Sequence, residues 1–263
     1  MTTPSAPART SPGGGVVPVG SLEMYYEEYG HGEPLVLLHG FGGSGETWRP
    51  FTAELSQRYR LIVVDLRGHG RSTNPENQFT HRAAAADVLV LLEKLGVDRF
   101  CAMGISSGGM TLLHMATSQP HRIDSMVLIS ATSHFPDQAR VIMKRVSFAT
   151  MPKEVREMYQ NCATRGDEQI RRLISQFNAF HGDYDDMNFT AERLATITAR
   201  TLVVHGDRDN FFPVEIPVGL YRAIPRSELW IIPGGNHVPI YDRAVPFVAA
   251  ALRFLDRAEA KSS

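Results

Sequence analysis

The chain has 263 residues, 43% of them hydrophobic and 21% charged, which is enough for one large core or for a domain with an insertion. The formal net charge is −1 and no basic block is present, so neither nucleic acid nor a membrane surface is an expected partner. No apolar run is long enough to span a bilayer. Its two cysteines are too few for a disulfide framework, and these features together predict a cytoplasmic globular protein.

Short apolar strands alternate with amphipathic helices along most of the chain. Residues 1–15 are Thr, Ser, Pro, Ala and Gly for the most part, without the apolar centre of a signal peptide, and are predicted to form a disordered tail. The alternating polar and apolar residues at 22–29 predict an antiparallel edge strand. Further strands are predicted at residues 34–38, 61–64, 100–103, 123–129, 201–204 and 228–232, and helices at 48–55, 85–95, 107–119 and 244–255. This alternation predicts an α/β fold with helices on both faces of a sheet of about eight strands, the last six of them parallel.

Residues 133–200 interrupt this rhythm. They lack a β-branched run but carry Phe, Met and Leu at helical spacing. We therefore predict a helical cap at 133–200, inserted into a core domain formed by residues 16–132 and 201–263.

The run Gly-Ile-Ser-Ser-Gly at residues 104–108 follows a predicted strand and precedes a helical pattern that stops at Pro120. A serine on such a sharp turn has its hydroxyl exposed, and the flanking glycines avoid collisions with the neighbouring strand and helix. This arrangement is typical of a nucleophile, so Ser106 is the predicted nucleophile.

A serine hydroxyl needs a base within hydrogen-bond reach and an acid that orients the base, in the chain order serine, acid, histidine. His237 lies just after the strand at 228–232, and ligands bind at the carboxyl ends of strands in open α/β sheets. Asp207 and Asp209 both follow the strand at 201–204. Asp209 is the preferred acid because the turn after Gly206 then has room to aim its side chain back, and Asp207 is the alternative.

Acyl transfer also requires N–H groups that stabilise an oxyanion. The backbone N–H of Ser107, at a helix N-terminus, is one predicted donor. The glycine-rich run at residues 39–45 can turn its backbone back toward the site, and the N–H of Phe41 is the second predicted donor.

Five motifs occur in a characteristic order: His-Gly-Phe-Gly-Gly-Ser at 39–44, Asp-Leu-Arg-Gly-His-Gly-Arg-Ser at 65–72, Gly-Ile-Ser-Ser-Gly-Gly at 104–109, Gly-Asp-Arg-Asp at 206–209, and His237. With these motifs the chain resembles the α/β-hydrolase family, roughly over residues 22–255. The resemblance implies the α/β-hydrolase fold but no particular substrate, because the family includes esterases, lactonases, carbon–carbon bond hydrolases, cofactor-free perhydrolases and acyltransferases. Ser107 and Asn236 depart from the residues that are frequent in the family at these positions.

The glycine-rich run permits a second interpretation. Residues 40–45 fit Gly-x-Gly-x-x-Gly, and Asp65 ends the next strand twenty residues after Gly45, as in dinucleotide-binding proteins. A nucleotide-binding protein has no need of Ser106, Asp209 and His237 at strand ends, whereas an oxyanion loop does need a glycine-rich turn. The hydrolase interpretation is therefore preferred.

The predicted function is hydrolysis of a small to medium, hydrophobic carboxylic ester or related acyl compound through an acyl-enzyme, with no metal or organic cofactor. Carbon–carbon bond hydrolysis and perhydrolysis on the same triad are alternatives, and a small-ligand sensor is the alternative of a different class. Carbon–carbon hydrolysis would need a cap residue that grips an enol carboxylate, and the sequence does not identify one. Arg140, Arg145 and Arg172 in the cap could meet an anionic group of a substrate, and the sequence does not rank them. The residues predicted to contact substrate are Trp48, Phe135, Phe177, Phe180, Phe211, Phe212 and Val238.

Overall fold

An eight-stranded sheet forms the centre of the protein. The computed structural model describes residues 13–256. The strands are β1 (Gly13–Val19), β2 (Leu22–Tyr29), β3 (Glu33–Leu38), β4 (Tyr59–Val64), β5 (Phe100–Ile105), β6 (Ile123–Ile129), β7 (Arg200–Gly206) and β8 (Ser227–Ile232). Their order across the sheet is β1-β2-β4-β3-β5-β6-β7-β8. Strands β3 to β8 are mutually parallel, while β2 runs antiparallel to both β1 and β4. The predicted fold class and the six parallel strands are confirmed.

Helices cover both faces of this sheet because successive strand residues point to opposite sides. The helices are α1 (Arg49–Leu55), α2 (His81–Lys94), α3 (Ser107–Ser118), α4 (Asp137–Arg145), α5 (Lys153–Cys162), α6 (Gly166–Ala179), α7 (Ala191–Leu194), α8 (Glu215–Ala223) and α9 (Ala244–Leu255). In β3, Val36 and Leu38 join the apolar cluster packed under α2 and α3, whereas Leu35 and Leu37 join the cluster under α1 and α9. None of the helices between residues 13 and 256 is long and apolar enough to cross a membrane.

The first strand differs from the sequence-based prediction. Residues 13–15, assigned to a disordered tail, begin β1, which pairs with β2 from Gly13 opposite Glu28 to Val19 opposite Leu22. Consequently β1, not β2, lies at the edge of the sheet. The glycines and Pro18 concealed this strand, since both residue types are depleted in strands and proline is tolerated at an edge. The rest of the predicted tail, residues 1–12, lies outside the described residues, as do residues 257–263 of the predicted core domain.

Helices α4 to α7 all lie between β6 and β7, in the segment predicted to form a cap. Met151, Tyr159 and Ile170 of this segment are buried in a small apolar cluster of their own. Phe135, Met143 and Phe180 belong instead to the large cluster under α2 and α3. The segment is therefore packed onto the sheet domain, and its treatment as a separate domain stays a prediction.

Candidate active site

Ser106 occupies the single residue between β5 and α3, in a left-handed backbone conformation with φ 49° and ψ −112°. A side chain at Gly108 would place its Cβ 2.3 Å from the carbonyl oxygen of Leu38, and one at Gly104 would come within 2.5 Å of Gly108. The backbone N–H of Ser106 donates to the carbonyl of Ile129 at 2.7 Å, which anchors the turn to β6. A positive φ at a serine is strained, and such strain persists where the surroundings enforce it.

His237 and Asp209 reach Ser106 from the loops that follow β8 and β7. The Nε2 atom of His237 lies 3.0 Å from Oγ of Ser106, and its Nδ1 atom lies 2.8 Å from Oδ2 of Asp209. Because a carboxylate only accepts, Nδ1 carries the proton and Nε2 is free to accept from the serine hydroxyl. The structure thus brings together the three residues predicted from sequence, while Asp207, the alternative acid, is exposed.

The carboxylate of Asp209 is buried and fully engaged. Its Oδ1 accepts the backbone N–H groups of Phe211 at 2.7 Å and Phe212 at 3.1 Å. Burial raises the pKa of Asp209, but the hydrogen bond and charge of His237, together with the two N–H groups, outweigh burial and lower the pKa below its ordinary value. Asp209 therefore remains a carboxylate beside the imidazole.

The glycine-rich loop after β3 lies beside this serine. The N–H of Gly43 donates to the carbonyl of Gly40 at 3.0 Å, closing a turn in which Gly42 has φ 78°. Nε2 of His39 accepts the N–H of Leu66 at 3.0 Å, so its Nδ1 donates to the Gly40 carbonyl at 2.7 Å and fixes the turn. Over residues 13–256, no acceptor binds the N–H of Phe41 or of Ser107, the two predicted oxyanion donors.

Asp65 does not serve a nucleotide in this arrangement. It is buried, its Oδ1 accepts the N–H of Gly45 at 2.7 Å, and its Oδ2 accepts the N–H of Arg71 at 2.8 Å. The side chain of Tyr159 fills the space over Gly42, where a Cβ would lie 2.3 Å from the tyrosine ring. The buried carboxylate thus ties two loops together instead of facing a ligand, which argues against the dinucleotide interpretation.

A cavity of about 590 Å³ opens over Ser106 and His237. Its walls are mostly apolar and come from the loops at the carboxyl ends of the strands and from α4, α5 and α6. Six of the seven residues predicted to contact substrate line this cavity, namely Phe135, Phe177, Phe180, Phe211, Phe212 and Val238. Phe41 also lines it.

Trp48 is the exception among the predicted contacts. It is fully buried and packs on Phe51, with ring centroids 5.9 Å apart, in the apolar cluster under α1 and α9. The short 3-10 turn that begins at Gly45 carries its side chain into the core instead of into the cavity. Its assignment as a substrate contact was wrong.

Two of the three cap arginines are likewise unavailable to a bound anion. The guanidinium of Arg140 is buried and donates to the carbonyls of Phe135, His181 and Asp183, which makes it a structural group. Arg172 pairs with Glu168 on the exposed side of α6. Only Arg145, at the end of α4, lines the cavity.

Tyr159 lines the cavity and was missed by sequence reasoning. It is buried, and its hydroxyl has no hydrogen-bond partner among residues 13–256. Burial raises its pKa well above the ordinary value, so the hydroxyl keeps its proton and can donate it. The helical spacing of the segment placed apolar residues on a buried face, but it did not distinguish which of them face the cavity.

Known proteins resemble this chain in sequence and in fold. A family model described as the alpha/beta hydrolase fold matches residues 33–178. A relative from Synechocystis sp., named provisionally as a non-heme chloroperoxidase, is 28% identical over 89% of this chain and 95% of its own. The pimeloyl-[acyl-carrier protein] methyl ester esterase of Nitrosospira multiformis is 24% identical over 90% of this chain and 99% of its own. The crystal structure of CumD, a meta-cleavage product hydrolase, superposes with TM-score 0.79 at 21% identity over 93% of this chain and 98% of its own, which shows a shared fold.

Proposed function

The chain belongs to the α/β-hydrolase family, and on that premise we propose that it hydrolyses a carboxylic ester or related acyl compound through an acyl-enzyme on Ser106. One observation carries the proposal: Oγ of Ser106 lies 3.0 Å from Nε2 of His237, whose Nδ1 lies 2.8 Å from the buried carboxylate of Asp209. A serine, a base and an acid at these distances are the parts that nucleophilic acyl transfer requires.

Each residue has a distinct task in the proposed reaction. Oγ of Ser106 attacks the acyl carbon while its proton passes to Nε2 of His237, and Asp209 stabilises the imidazolium that forms. The N–H groups of Phe41 and Ser107 stabilise the oxyanion of the tetrahedral intermediate. The alcohol leaves with the proton from His237, which then takes a proton from water as that water attacks the acyl-enzyme. His237 then passes this proton to Oγ of Ser106 as the acid is released, which returns the serine and the imidazole to their starting states.

The cavity supports a small to medium substrate with an apolar acyl or alcohol part. Its volume of about 590 Å³ falls within the range of small-molecule sites, and its phenylalanines offer apolar contacts. The hydroxyl of Tyr159 adds one donor for an oxygen atom of the substrate. The Nitrosospira relative, named as a methyl ester esterase, supports the ester class.

Carbon–carbon bond hydrolysis is the second candidate, and Arg145 is the observation that favours it. Arg145 is the one cap arginine of the three named above that lines the cavity, so it could meet the carboxylate of such a substrate. A relative from Metapseudomonas resinovorans, named 2-hydroxy-6-oxo-6-(2'-aminophenyl)hexa-2,4-dienoic acid hydrolase, is 23% identical over 92% of this chain. Arg145 is exposed at the end of a helix, however, so the ester class is preferred.

The test is hydrolysis of p-nitrophenyl esters from acetate to decanoate by the native protein, by Ser106→Ala and by Ser118→Ala. Ser118 is the last residue of α3, the helix that follows Ser106; its hydroxyl donates to the Met115 carbonyl, and it is the matched control. We expect turnover by the native protein and the control, and a loss of about 10³-fold or more in Ser106→Ala. Equal activity in both variants would contradict the proposal. Saturable ligand binding without turnover by the native protein would favour the sensor alternative.

A further inference from the structure

A second hydrogen-bonded network of one serine, one histidine and one aspartate lies buried next to Ser106. The Nδ1 atom of His81 lies 2.6 Å from Oδ2 of Asp186, and its Nε2 atom lies 3.1 Å from Oγ of Ser107. His81 and Asp186 are 105 residues apart in sequence, and all three side chains are almost completely shielded from solvent. None of the three side chains takes part in the proposed reaction, so their arrangement calls for a separate explanation.

The groups bound to Asp186 show that its carboxylate is the acceptor at one end of this network. The Asp186 carboxylate also accepts the backbone N–H groups of His81 at 2.7 Å and Arg82 at 3.0 Å, at the N-terminus of α2. Burial raises the pKa of Asp186, but the bonds from His81 and from these N–H groups outweigh burial and lower the pKa to about 2. The carboxylate therefore accepts from Nδ1–H of His81, and in the neutral imidazole Nε2 then accepts the hydroxyl proton of Ser107.

Asp186 connects the helical segment before β7 to both helices behind the site. Its carboxylate holds the start of α2, and its backbone carbonyl accepts Nε2–H of His114, on α3, at 2.8 Å. Phe180 packs over the His81 ring with centroids 5.1 Å apart, and Phe180 also lines the cavity. The position of the segment over the cavity is thereby tied to the position of Ser107.

Ser107 matters because its N–H is a proposed oxyanion donor and because it follows a strained residue. The orientation of that N–H depends on the backbone angles of Ser106, φ 49° and ψ −112°. Unfavourable angles persist only where neighbouring groups enforce them. The Ser106 N–H is held by Ile129 on the β6 side, and the hydroxyl of Ser107 is held by His81 on the helix side.

We propose that His81 and Asp186 are positioning residues that hold Ser107 so that its N–H points at the oxyanion, which couples the segment over the cavity to the oxyanion hole. This inference rests on the proposed function. The His81 side chain does not touch the substrate; it acts through Ser107. Its removal should therefore weaken stabilisation of the transition state and leave ground-state binding largely unchanged.

The test is a double-mutant cycle with Ser107→Ala and His81→Asn. An asparagine amide at position 81 can still donate to Asp186 in place of Nδ1–H, but it is too short to reach Ser107. We expect each single variant to lower kcat about ten-fold with KM nearly unchanged, because one buried hydrogen bond is lost. The double variant should be no slower than either single variant, because both changes remove the same interaction. Ser107→Thr, which keeps the hydroxyl, should restore most of the rate.

Two further measurements distinguish the positioning of Ser107 by His81 from ester hydrolysis itself. Thermal unfolding of each variant identifies a loss of rate that comes from a loss of folded protein. The ¹⁵N resonances of the His81 ring should shift in Ser107→Ala, whether or not the protein hydrolyses esters. Native kcat in Ser107→Ala, additive losses in the double variant, or unchanged His81 resonances would each overturn the inference. An inert native protein with shifted His81 resonances would overturn the proposed function and, with it, the role assigned to the Ser107 N–H.

Discussion

The Nε2 atom of His237 lies 3.0 Å from the hydroxyl oxygen of Ser106, although 131 residues separate the two along the chain. Parallel pairing of β5 to β8 places the turn after β5 and the loop after β8 at the same edge of the sheet. Asp209 reaches the same edge from the loop after β7. The contact between Ser106 and His237 thus follows from the topology of the sheet.

Replacing Asp209 by asparagine should lower kcat strongly while the fold is kept. The amide preserves the shape of the side chain, but it cannot stabilise an imidazolium and it favours the wrong tautomer of His237. By analogy with other serine triads, a loss of about 10³–10⁴-fold in kcat is expected. Steady-state kinetics on the preferred p-nitrophenyl ester measures the loss.

Asp207→Asn is the matched control for this change. Asp207 lies two residues away in the same loop and is exposed, so its amide variant should keep the native rate. A large loss in Asp207→Asn with a native rate in Asp209→Asn would reverse the assignment of the acid.

Gly108→Ala should damage both folding and activity because a Cβ at this position would lie 2.3 Å from the carbonyl oxygen of Leu38. Either β3 or the turn at Ser106 must then move. We expect a loss of about 1–3 kcal/mol in the free energy of unfolding, measured by urea denaturation, and a lower kcat in the protein that remains folded.

Gly219→Ala offers a contrast within the same chain. Gly219 lies in α8, and a Cβ there would have no neighbour within 4 Å. This substitution should raise the free energy of unfolding by about 0.5–1 kcal/mol, since alanine loses less backbone entropy in a helix. If Gly108→Ala and Gly219→Ala change the free energy of unfolding equally, close packing around the turn at Ser106 does not exclude a side chain at position 108.

Much of this architecture could be predicted from the sequence because its signals are local. Apolar runs marked the parallel strands, and the glycines around Ser106 marked the turn. Features that depend on contacts between residues distant in sequence have no such local signal. Trp48 has the same apolar character as Phe177, and only the direction of its turn sends it into the core. Arg140 gave no sign that it would bind backbone carbonyls on the far side of its segment.

Tyr159→Phe should raise KM for substrates that place an oxygen atom near Gly42, and it should leave kcat nearly unchanged. The hydroxyl has no partner between residues 13 and 256, so its loss leaves no protein group unsatisfied. A neutral hydrogen bond contributes about 0.5–1.5 kcal/mol, which corresponds to a change of about 2- to 13-fold. KM values that stay native across esters with and without an extra oxygen would show that the hydroxyl does not bind substrate.

The free energy of unfolding should fall as the pH falls from about 7 to about 4. The ordinary pKa of histidine sets the upper end of this window, and the lowered pKa values of buried histidines set the lower end. Burial, the largest cause in each case, lowers the pKa of His39, His69, His114 and His205, that of His114 to about 4. In this window the unfolded chain binds protons that the folded protein does not, so acid favours unfolding. His114 alone should contribute about 3 kcal/mol to the change.

The comparison is urea denaturation across this pH range for the native protein and for His114→Gln. Glutamine can still donate to the Asp186 carbonyl but does not titrate, so the stability of this variant should depend less steeply on pH. His121→Gln, at an exposed position on the turn after α3, is the control and should keep the native slope. Equal slopes in His114→Gln and the native protein would show that His114 takes up its proton equally well in the folded state.

Covalent catalysis by Ser106 can be detected by acid quenching of the protein during turnover of p-nitrophenyl butyrate, followed by peptide mass spectrometry. We expect a butyryl group on the hydroxyl of Ser106, and no such adduct in Ser106→Ala. Turnover with no acyl group on Ser106 under conditions that preserve serine esters, or an acyl group on another residue that also appears in Ser106→Ala, would contradict it.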